Sequence, residues 1–442
     1  MKENSLLTTI ILVLSALLIT SGIIFYEKIT PSIAPTTTYP SQLTLPKTTS
    51  PQPTFPKPQP TEIKNLVETN NQFALDYYQQ LRRENEENIF FSPLSISSAF
   101  LMTYEGAKGE TAKQIQSVFY FPEDSNLRRQ EFSSIFKEIN KKDKKYQLSI
   151  ANALWIQKDY PIANDFLTVV QNYYQGKAQN LDFIRDPEDS RVTINNWVEN
   201  QTNNKIKNLI PQGLIDNLTR LVLTNAIYFK GEWVKQFDKN LTQEEDFTTD
   251  EGKIVQVPMM RRLDKEAIFP YWENKDLQIL EMPYSGNDLS MLILLPKNND
   301  LSKLEDLLTL KNISEWKKNL EEQQVEVYIP KFKFETKYFM KEDLEKMGMS
   351  LPFSDQADFS GITSYELLKI DQAIHQAFIE VNEEGTEAAA ATAIGIVATG
   401  ISPETPKIPV FRVDHPFIFL IQHKNSGAIL FIGRVANPNL AS

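Results

Sequence analysis

Long strand-like runs of apolar residues recur from about residue 148 to the C-terminus, and they limit the fold of this chain more than any other feature. They are LSIANALWI (148–156), RLVLTNAIYF (220–229), SMLILLP (290–296), QVEVYIPKFKFE (324–335), HPFIFLIQH (415–423) and GAILFIGRV (427–435). The last two flank the short turn KNSG, which predicts a hairpin. A chain with this many strands must build one or more large sheets.

The region before these runs is mainly helical in pattern. The stretches NLVETNNQFALDYYQQLRRENE (65–86) and PLSISSAFLMTYEGA (93–107) repeat apolar residues at helical spacing. Helices therefore lead and strands follow, with no repeat period and no second linker after Glu62. This order predicts the α+β class with largely antiparallel sheets.

The N-terminal 61 residues differ in composition from the rest. Residues 6–25 are uncharged and long enough to span a bilayer, so residues 1–29 are interpreted as an uncleaved signal anchor; a cleaved signal peptide and a buried core helix are the alternatives. Residues 30–61 follow as a Pro/Thr-rich linker, with nine prolines and eight threonines between Thr30 and Pro60. Either signal would place the domain outside the cytoplasm, as a membrane-anchored or a secreted protein.

Composition excludes several classes of function. The net charge of −11 argues against nucleic acid as a partner. The absence of cysteine rules out disulfides and thiolate nucleophiles, and with three histidines we expect no metal site and no cofactor. The basic cluster KKDKK (141–145) is a polyanion site or, more simply, a solvated helix end, and His415 is interpreted as structural.

Enzyme motifs are also missing. The chain has no GxSxG, HExxH, GxGxxG or GxxxxGK[ST] pattern, and its plentiful carboxylates lie in charged runs. We therefore predict that the protein is not an enzyme.

From about Glu62 to the end, the chain resembles the serpin family, and the matching blocks follow the family's order. They are NIFFSPLSISSAFLMTYEGAKGETAKQI (88–115), LTNAIYFKGEW (223–233), EMPYSGNDLSMLILLP (281–296), ADFSGI (357–362), HQAFIEVNEEGTEAAAAT (375–392), DHPFIFLI (414–421) and ILFIGRVANP (429–438). The resemblance implies one domain, 62–442. It also implies N-terminal helices, a large mostly antiparallel main sheet, two smaller sheets and an exposed reactive-centre loop at about 383–407.

An inhibitory serpin acts as a suicide substrate of a serine protease, or in some cases of a cysteine protease. The resemblance implies that the protease cleaves the loop and that the loop then inserts as a new strand into the main sheet while the acyl-enzyme is trapped. Losing the oxyanion hole and triad geometry stops deacylation. The protein is expected to act as a monomer that is held in a metastable state by a kinetic barrier.

The hinge of the loop fits this physics. Its residues are Glu383, Gly385, Thr386, Glu387, Ala388, Ala389, Ala390, Ala391 and Thr392. With a period of two, the inward positions are Thr386, Ala388, Ala390 and Thr392, all small and uncharged. No proline interrupts residues 385–392, so every inserted N–H can pair. A non-inhibitory serpin, acting as a chaperone, carrier or scaffold, is the alternative, and it would be expected to carry bulky, charged or proline residues here.

Two further clusters are implied by the resemblance. The breach, where the sheet opens, comprises Lys331, Trp233 and Glu383, with the lysine paired to the glutamate. The shutter beneath the centre of the sheet comprises the polar side chains Ser92, Ser95, Asn225 and His375, which control strand separation.

The scissile bond is placed at Thr399–Gly400, sixteen residues after Glu383, which is the usual family distance. The alternative register, Thr405–Pro406, is rejected because proline after the bond blocks most serine proteases. The flanking residues Ile396, Val397, Ala398 and Ile401 are small or aliphatic, and residues 394–401 carry no charge. The target is therefore expected to be an elastase-like or subtilisin-like enzyme rather than a trypsin-like one.

The scissile bond is directly testable. Limited digestion with elastase is expected to cut once between Ile396 and Ile401, because the usual family distance from Glu383 places the scissile bond within this small, uncharged stretch. Mass spectrometry of the released C-terminal fragment measures the position. A cut outside these residues would contradict the assignment.

Overall fold

The computed structural model describes residues 65–140, 144–365, 367–386 and 408–440. The predicted N-terminal segment (1–29) and linker (30–61) therefore lie outside the described residues. In the described part of the chain, no helix combines the length and the apolarity that a bilayer crossing requires.

Helices dominate the first third, as the sequence predicts. The described α-helices are α1 (Leu66–Leu81), α2 (Pro93–Gly106), α3 (Gly109–Phe119), α4 (Ser125–Ile139), α5 (Asn164–Tyr174), α6 (Pro187–Gln201), α7 (Leu301–Asp306), α8 (Leu310–Lys318) and α9 (Lys341–Lys346). Side chains cap the starts of some of these helices: the Asn65 side chain accepts from the Glu68 N–H, and Ser92 caps α2 just before Pro93.

Seventeen strands are described. They are β1 (Ile89–Phe91), β2 (Tyr146–Gln157), β3 (Lys177–Leu181), β4 (Leu221–Glu232), β5 (Gln243–Thr248), β6 (Ile254–Arg262), β7 (Ile268–Glu273), β8 (Leu277–Pro283), β9 (Leu289–Pro296), β10 (Glu321–Gln324), β11 (Glu326–Pro330), β12 (Phe332–Phe339), β13 (Gln372–Val381), β14 (Gly385–Thr386), β15 (Val410–Arg412), β16 (Phe417–His423) and β17 (Ile429–Val435).

These strands form three sheets, which confirms the predicted α+β class. The six-stranded sheet has the order β12-β13-β14-β4-β2-β3 and contains the two longest strands, β2 and β4. A seven-stranded sheet has the order β1-β17-β16-β9-β8-β7-β10, and a four-stranded sheet has the order β15-β11-β6-β5. Most neighbours are antiparallel, but β13–β4, β2–β3 and β11–β15 are parallel.

Aromatic rings join the six-stranded and seven-stranded sheets. Phe90 of β1 stacks on Phe431 of β17 with ring centroids 5.2 Å apart and meets Phe334 of β12 edge to face at 6.2 Å. Helix α2 is almost wholly buried beside them, so it supports the six-stranded sheet from its inner face. Burial of this many apolar side chains supplies most of the free energy that stabilises such a domain.

The C-terminal hairpin is confirmed, whereas one predicted strand is wrong. Strands β16 and β17 pair antiparallel around the turn that contains Gly427. The run 324–335, however, divides into β11 and β12, which belong to different sheets. Pro330 has no N–H to continue a ladder, and the chain changes sheet at Lys331.

Gly433 of β17 is required by packing. A Cβ atom there would lie 2.3 Å from Cζ of Phe419 and 3.1 Å from the carbonyl oxygen of Ile89. Gly433→Ala is expected to lower the free energy of unfolding by about 1–3 kcal/mol through overpacking. Urea denaturation followed by circular dichroism measures the change. Because Leu is smaller than Phe, the double variant Gly433→Ala/Phe419→Leu should lose less free energy of unfolding than the two single variants lose together. A loss equal to that sum would contradict overpacking as the cause.

Candidate functional site

The centre of the six-stranded sheet has an unusual junction between β4 and β13. The two strands pair in parallel from Gln372↔Val222 to Phe378↔Tyr228. Above Phe378 they diverge, and the two residues of β14 lie between them. We call this junction the β4–β13 seam, with β14 at its upper end.

Strand β14 fits because its residues are small. A Cβ atom on Gly385 would lie 2.1 Å from the carbonyl oxygen of Gly231, so the approach of the two backbones requires glycine. Thr386 is 1% exposed, and its hydroxyl lies 2.7 Å from the hydroxyl of Tyr284. The structure thus places Thr386 facing inward, with Gly231 and Val381 on either side.

An ion pair between a half-buried lysine and a buried glutamate lies just before β14. Nζ of Lys331 is 2.9 Å from Oε2 of Glu383, and the Thr242 hydroxyl donates to Oε1 at 2.8 Å. Burial opposes ionisation of Glu383, which is only 3% exposed, but the hydrogen bonds from Lys331 and Thr242 outweigh it. The pKa of Glu383 therefore lies below its ordinary value, and the carboxylate is charged at neutral pH.

Trp233 fixes the backbone on the other side of this ion pair. Its ring stacks on Tyr284 with centroids 4.5 Å apart, and its Nε1–H donates to the carbonyl of Asn382 at 3.0 Å. The backbone N–H of Trp233 donates to the carbonyl of Glu384 at 2.8 Å, and the Glu384 carboxylate pairs with Lys239. Lys331, Trp233 and Glu383 are therefore brought together at the upper end of the seam.

A polar row crosses the sheet lower down the seam. Tyr338, His375, Asn225 and Asn152 occupy one level of four adjacent strands. The Asn225 side chain donates to Ser95 Oγ and to Asn152 Oδ1, and the Ser92 N–H donates to Nε2 of His375 at 3.2 Å. The four residues that the resemblance to serpins assigns to the shutter thus form one fully buried network. They are Ser92, Ser95, Asn225 and His375.

The hydrogen bonds of His375 fix its tautomer. A backbone N–H can only donate, so Nε2 is unprotonated, and Nδ1 carries the proton that it donates to Asn225 Oδ1. Burial lowers the pKa of His375 to about 3. The imidazole is therefore neutral at physiological pH.

Sequence reasoning missed several members of these clusters. Asn152 lies in the quoted run LSIANALWI, and Tyr284 lies in the quoted block EMPYSG, so both were within recognised segments. Thr242 and Lys239 lie in a polar connection that carries no periodic signal. Their positions depend on tertiary packing alone.

The remaining candidates have simpler surroundings. His415 contacts Asp414 Oδ1 at 2.7 Å and the Pro296 carbonyl at 2.6 Å, which fits a structural histidine. Of the basic cluster, Lys144 pairs with Asp288 at 2.8 Å, and residues 141–143 lie outside the described residues. The rest of the hinge and the whole bait also lie outside the described residues. These positions are Glu387, Ala388, Ala389, Ala390, Ala391, Thr392, Ile396, Val397, Ala398, Thr399, Gly400 and Ile401.

Comparison with known proteins identifies the family. The family model for serpins (serine protease inhibitors) matches residues 68–438. A serpin-like protein of Methanosarcina mazei is 44% identical over 378 residues, or 85% of this chain and 88% of the relative. Human leukocyte elastase inhibitor is 41% identical over 385 residues, covering 85% of this chain and all of the relative.

Solved structures agree. The structure of human thyroxine-binding globulin with thyroxine superposes with a TM-score of 0.77 at 31% sequence identity, covering 85% of this chain and 99% of that chain. Sequence blocks, sheet topology and relatives point the same way. The chain belongs to the serpin family.

Proposed function

We propose that this protein is an inhibitory serpin, a suicide substrate whose reactive-centre loop inserts along the β4–β13 seam after cleavage. The observation that carries the proposal is β14: Gly385 and Thr386 already lie between the two strands that insertion must separate. Insertion would then continue a strand that has begun.

The registers of the strands support this continuation. Extending the pairs Val381↔Thr386 and Gly231↔Thr386 down both strands places each loop residue from 389 to 395 opposite two residues that pair with each other in the closed sheet. Thr392, for example, falls between His375 and Asn225, which pair with each other in the closed sheet. Strands β4 and β13 would have to separate, but neither would have to slide.

The side chains also suit the seam. Residues opposite each other on paired strands share a face, so Ala388, Ala390 and Thr392 would point inward like Thr386. Ala388 would meet Ile379 and Phe229, where a larger side chain would clash with the core. Thr392 would bring a hydroxyl to the polar row, so the groups of His375 and Asn225 would keep a polar neighbour.

The inserted strand would supply enough free energy to act on a protease. Each backbone hydrogen bond contributes about 0.5–1.5 kcal/mol net, so about a dozen residues yield on the order of 10 kcal/mol. This is comparable to the whole stability of an ordinary domain. A protease held by its acyl bond would be distorted rather than released.

The target is proposed to be an elastase-like or subtilisin-like serine protease, with a cysteine protease as the less favoured class. The bait Ile396–Ile401, with the scissile bond at Thr399–Gly400, offers no cationic side chain for a trypsin-like pocket. The relative named as a leukocyte elastase inhibitor supports the same class.

A non-inhibitory role as carrier, chaperone or scaffold is the competing function. The thyroxine-binding relative shares this fold, so the fold alone does not decide between the two. The small, uncharged inward residues of the hinge favour inhibition. A carrier would give no denaturation-resistant complex and no large gain in melting temperature after loop cleavage.

The site of action is proposed to be extracytoplasmic. Residues 6–25 would serve as a signal anchor or a cleaved signal peptide, and the Pro/Thr-rich linker would hold a monomeric domain away from the membrane. The protein would then meet secreted or surface proteases.

Inhibition and its mechanism can be tested together. The full chain, incubated with elastase, subtilisin, chymotrypsin and trypsin, is expected to form a complex stable in denaturing gels with at least one of the first two. Thr386→Arg is expected to abolish that complex and to convert the protein into a substrate, because a charged side chain would have to be buried beside Tyr284.

Glu387→Arg is the matched control for this variant. The period of two turns residue 387 to the outer face, beside Glu380 and Lys230, so this variant should retain most of the complex. A complex that survives Thr386→Arg would contradict insertion, and trypsin as the sole partner would contradict the assigned target class.

The buried histidine of the shutter predicts that the free energy of unfolding depends on pH. Because the pKa of His375 falls from about 6.5 in the unfolded chain to about 3 in the fold, the unfolded state binds the proton first. The contribution of the neutral His375 imidazole to the free energy of unfolding is therefore complete above about pH 6.5. It declines by about 1.4 kcal/mol per pH unit as the pH falls toward 3. The difference in unfolding free energy between wild type and His375→Gln should shrink at that rate between pH 6 and pH 4. A difference that stays constant over this range would contradict the neutral buried imidazole.

A further inference from the structure

The lower end of the β4–β13 seam is closed by one residue, Asp371, just before β13. Its backbone N–H donates to the carbonyl of Leu221 at 3.0 Å. One oxygen of its carboxylate, Oδ2, accepts from the backbone N–H of Arg220 at 2.6 Å and from that of Leu221 at 3.0 Å. Asp371 thus binds the start of β4 through both its backbone and its side chain.

These bonds occupy the groups that an added strand would need. The N–H and the carbonyl of Leu221 both point toward β13, and so does the N–H of Trp233, which pairs with Glu384 at the upper end. Extending the register of β14 places residue 395 opposite Val222 and Gln372, and residue 396 opposite Leu221 and Asp371. The strands need room to diverge: at the upper end two residues of β13, 379 and 380, separate the last direct pair, Phe378↔Tyr228, from Val381 beside Thr386. A strand that ends at residue 393 leaves the same room and keeps the bonds of Asp371 intact, whereas one that reaches residue 396 must break them.

The two cationic side chains near Asp371 make their hydrogen bonds and ion pairs with other residues. The guanidinium of Arg220 donates to the carbonyls of Asn217 and Thr219, both at 2.9 Å. The ammonium of Lys369 lies 2.6 Å from Asp355. The contacts that define the carboxylate's position are therefore the two amides at the start of β4.

We propose that Asp371, Arg220 and Leu221 form a clasp that closes the lower end of the β4–β13 seam and that an inserting strand must open to complete its insertion. The inference deepens the proposed function and rests on it: Asp371 is a positioning residue that separates early from complete insertion. The upper and central parts of the seam would open without it.

Two synthetic peptides of the loop sequence test the clasp on the full-length protein. One covers residues 387–393 and ends two residues short of the level next to Leu221; the other covers residues 387–398 and passes it. Annealing of each peptide to the uncleaved protein is measured by mass spectrometry under native conditions. In Asp371→Ala, binding of the longer peptide relative to the shorter is expected to rise about tenfold over wild type, because a competing acceptor for the amides is lost.

Two controls separate the clasp from general loosening. Asp371→Asn keeps a side-chain oxygen that can accept both bonds, so it should keep the wild-type ratio. Glu251→Ala removes a carboxylate whose side chain is 67% exposed, just before β6 of the four-stranded sheet, and should leave the ratio unchanged. An equal gain for both peptides in Asp371→Ala, or no gain, would overturn the clasp.

The peptide experiment needs no protease, so its outcome is separable from that of the proposed function. If the peptides anneal with the expected length dependence but no protease is trapped, the clasp stands and the inhibitory role fails. If neither peptide anneals to wild type or to any variant, the seam does not admit a strand and both proposals are wrong.

Discussion

The pairing of β4 with β13 is the interaction on which the behaviour of this molecule depends. It consists of one parallel ladder, from Gln372↔Val222 to Phe378↔Tyr228. Parallel pairing is slightly less stable per residue than antiparallel pairing. A strand inserted between them would replace this single ladder with two antiparallel ones, so the closed sheet is not the arrangement with the most hydrogen bonds. In the proposed mechanism, the cost of separating strands that are already packed would hold the sheet closed.

The ends of the seam differ in their electrostatics. At the upper end, Lys331 and Thr242 keep Glu383 charged despite its burial, so moving this carboxylate would cost an ion pair. At the lower end, burial raises the pKa of Asp371, and the amides of Arg220 and Leu221 offset this effect only in part. Releasing the Asp371 carboxylate to water would therefore recover hydration that the closed sheet withholds. The proposed insertion from the upper end downward would then leave the Glu383–Lys331 contact in place and open the Asp371 contact last.

Much of the fold was predictable from the sequence because its signals are local. The helical spacing in 65–86, the capping residues of α2 and the hairpin around KNSG depend on neighbours a few residues away. The division of 324–335 into β11 and β12 was not predictable from alternation, because both strands alternate well and only their partners differ. Pro330 was the one local signal of the break.

The candidate site was predictable only where it falls within recognisable blocks. Glu383, Lys331, Trp233 and the four shutter residues were located by resemblance, and the structure brings each set together. Thr242 and Lys239 contribute equally direct contacts, yet nothing in their own segments marks them. Their roles arise from chain segments that meet across the sheet, which a single sequence does not encode in any local pattern.

The polar row explains how a buried seam can be stable when closed and still be able to open. Buried amide and imidazole groups cost free energy unless they are hydrogen-bonded, and in the closed sheet Asn225 and His375 bond to each other and to α2. An apolar row at this level would pack equally well but would offer nothing to a hydroxyl arriving at residue 392. Because the proposed insertion would bring Thr392 to this level, the row would have a polar neighbour in both arrangements, and its groups would be unpaired only while the strands separate. Under the proposed mechanism the row would therefore add to the barrier to insertion.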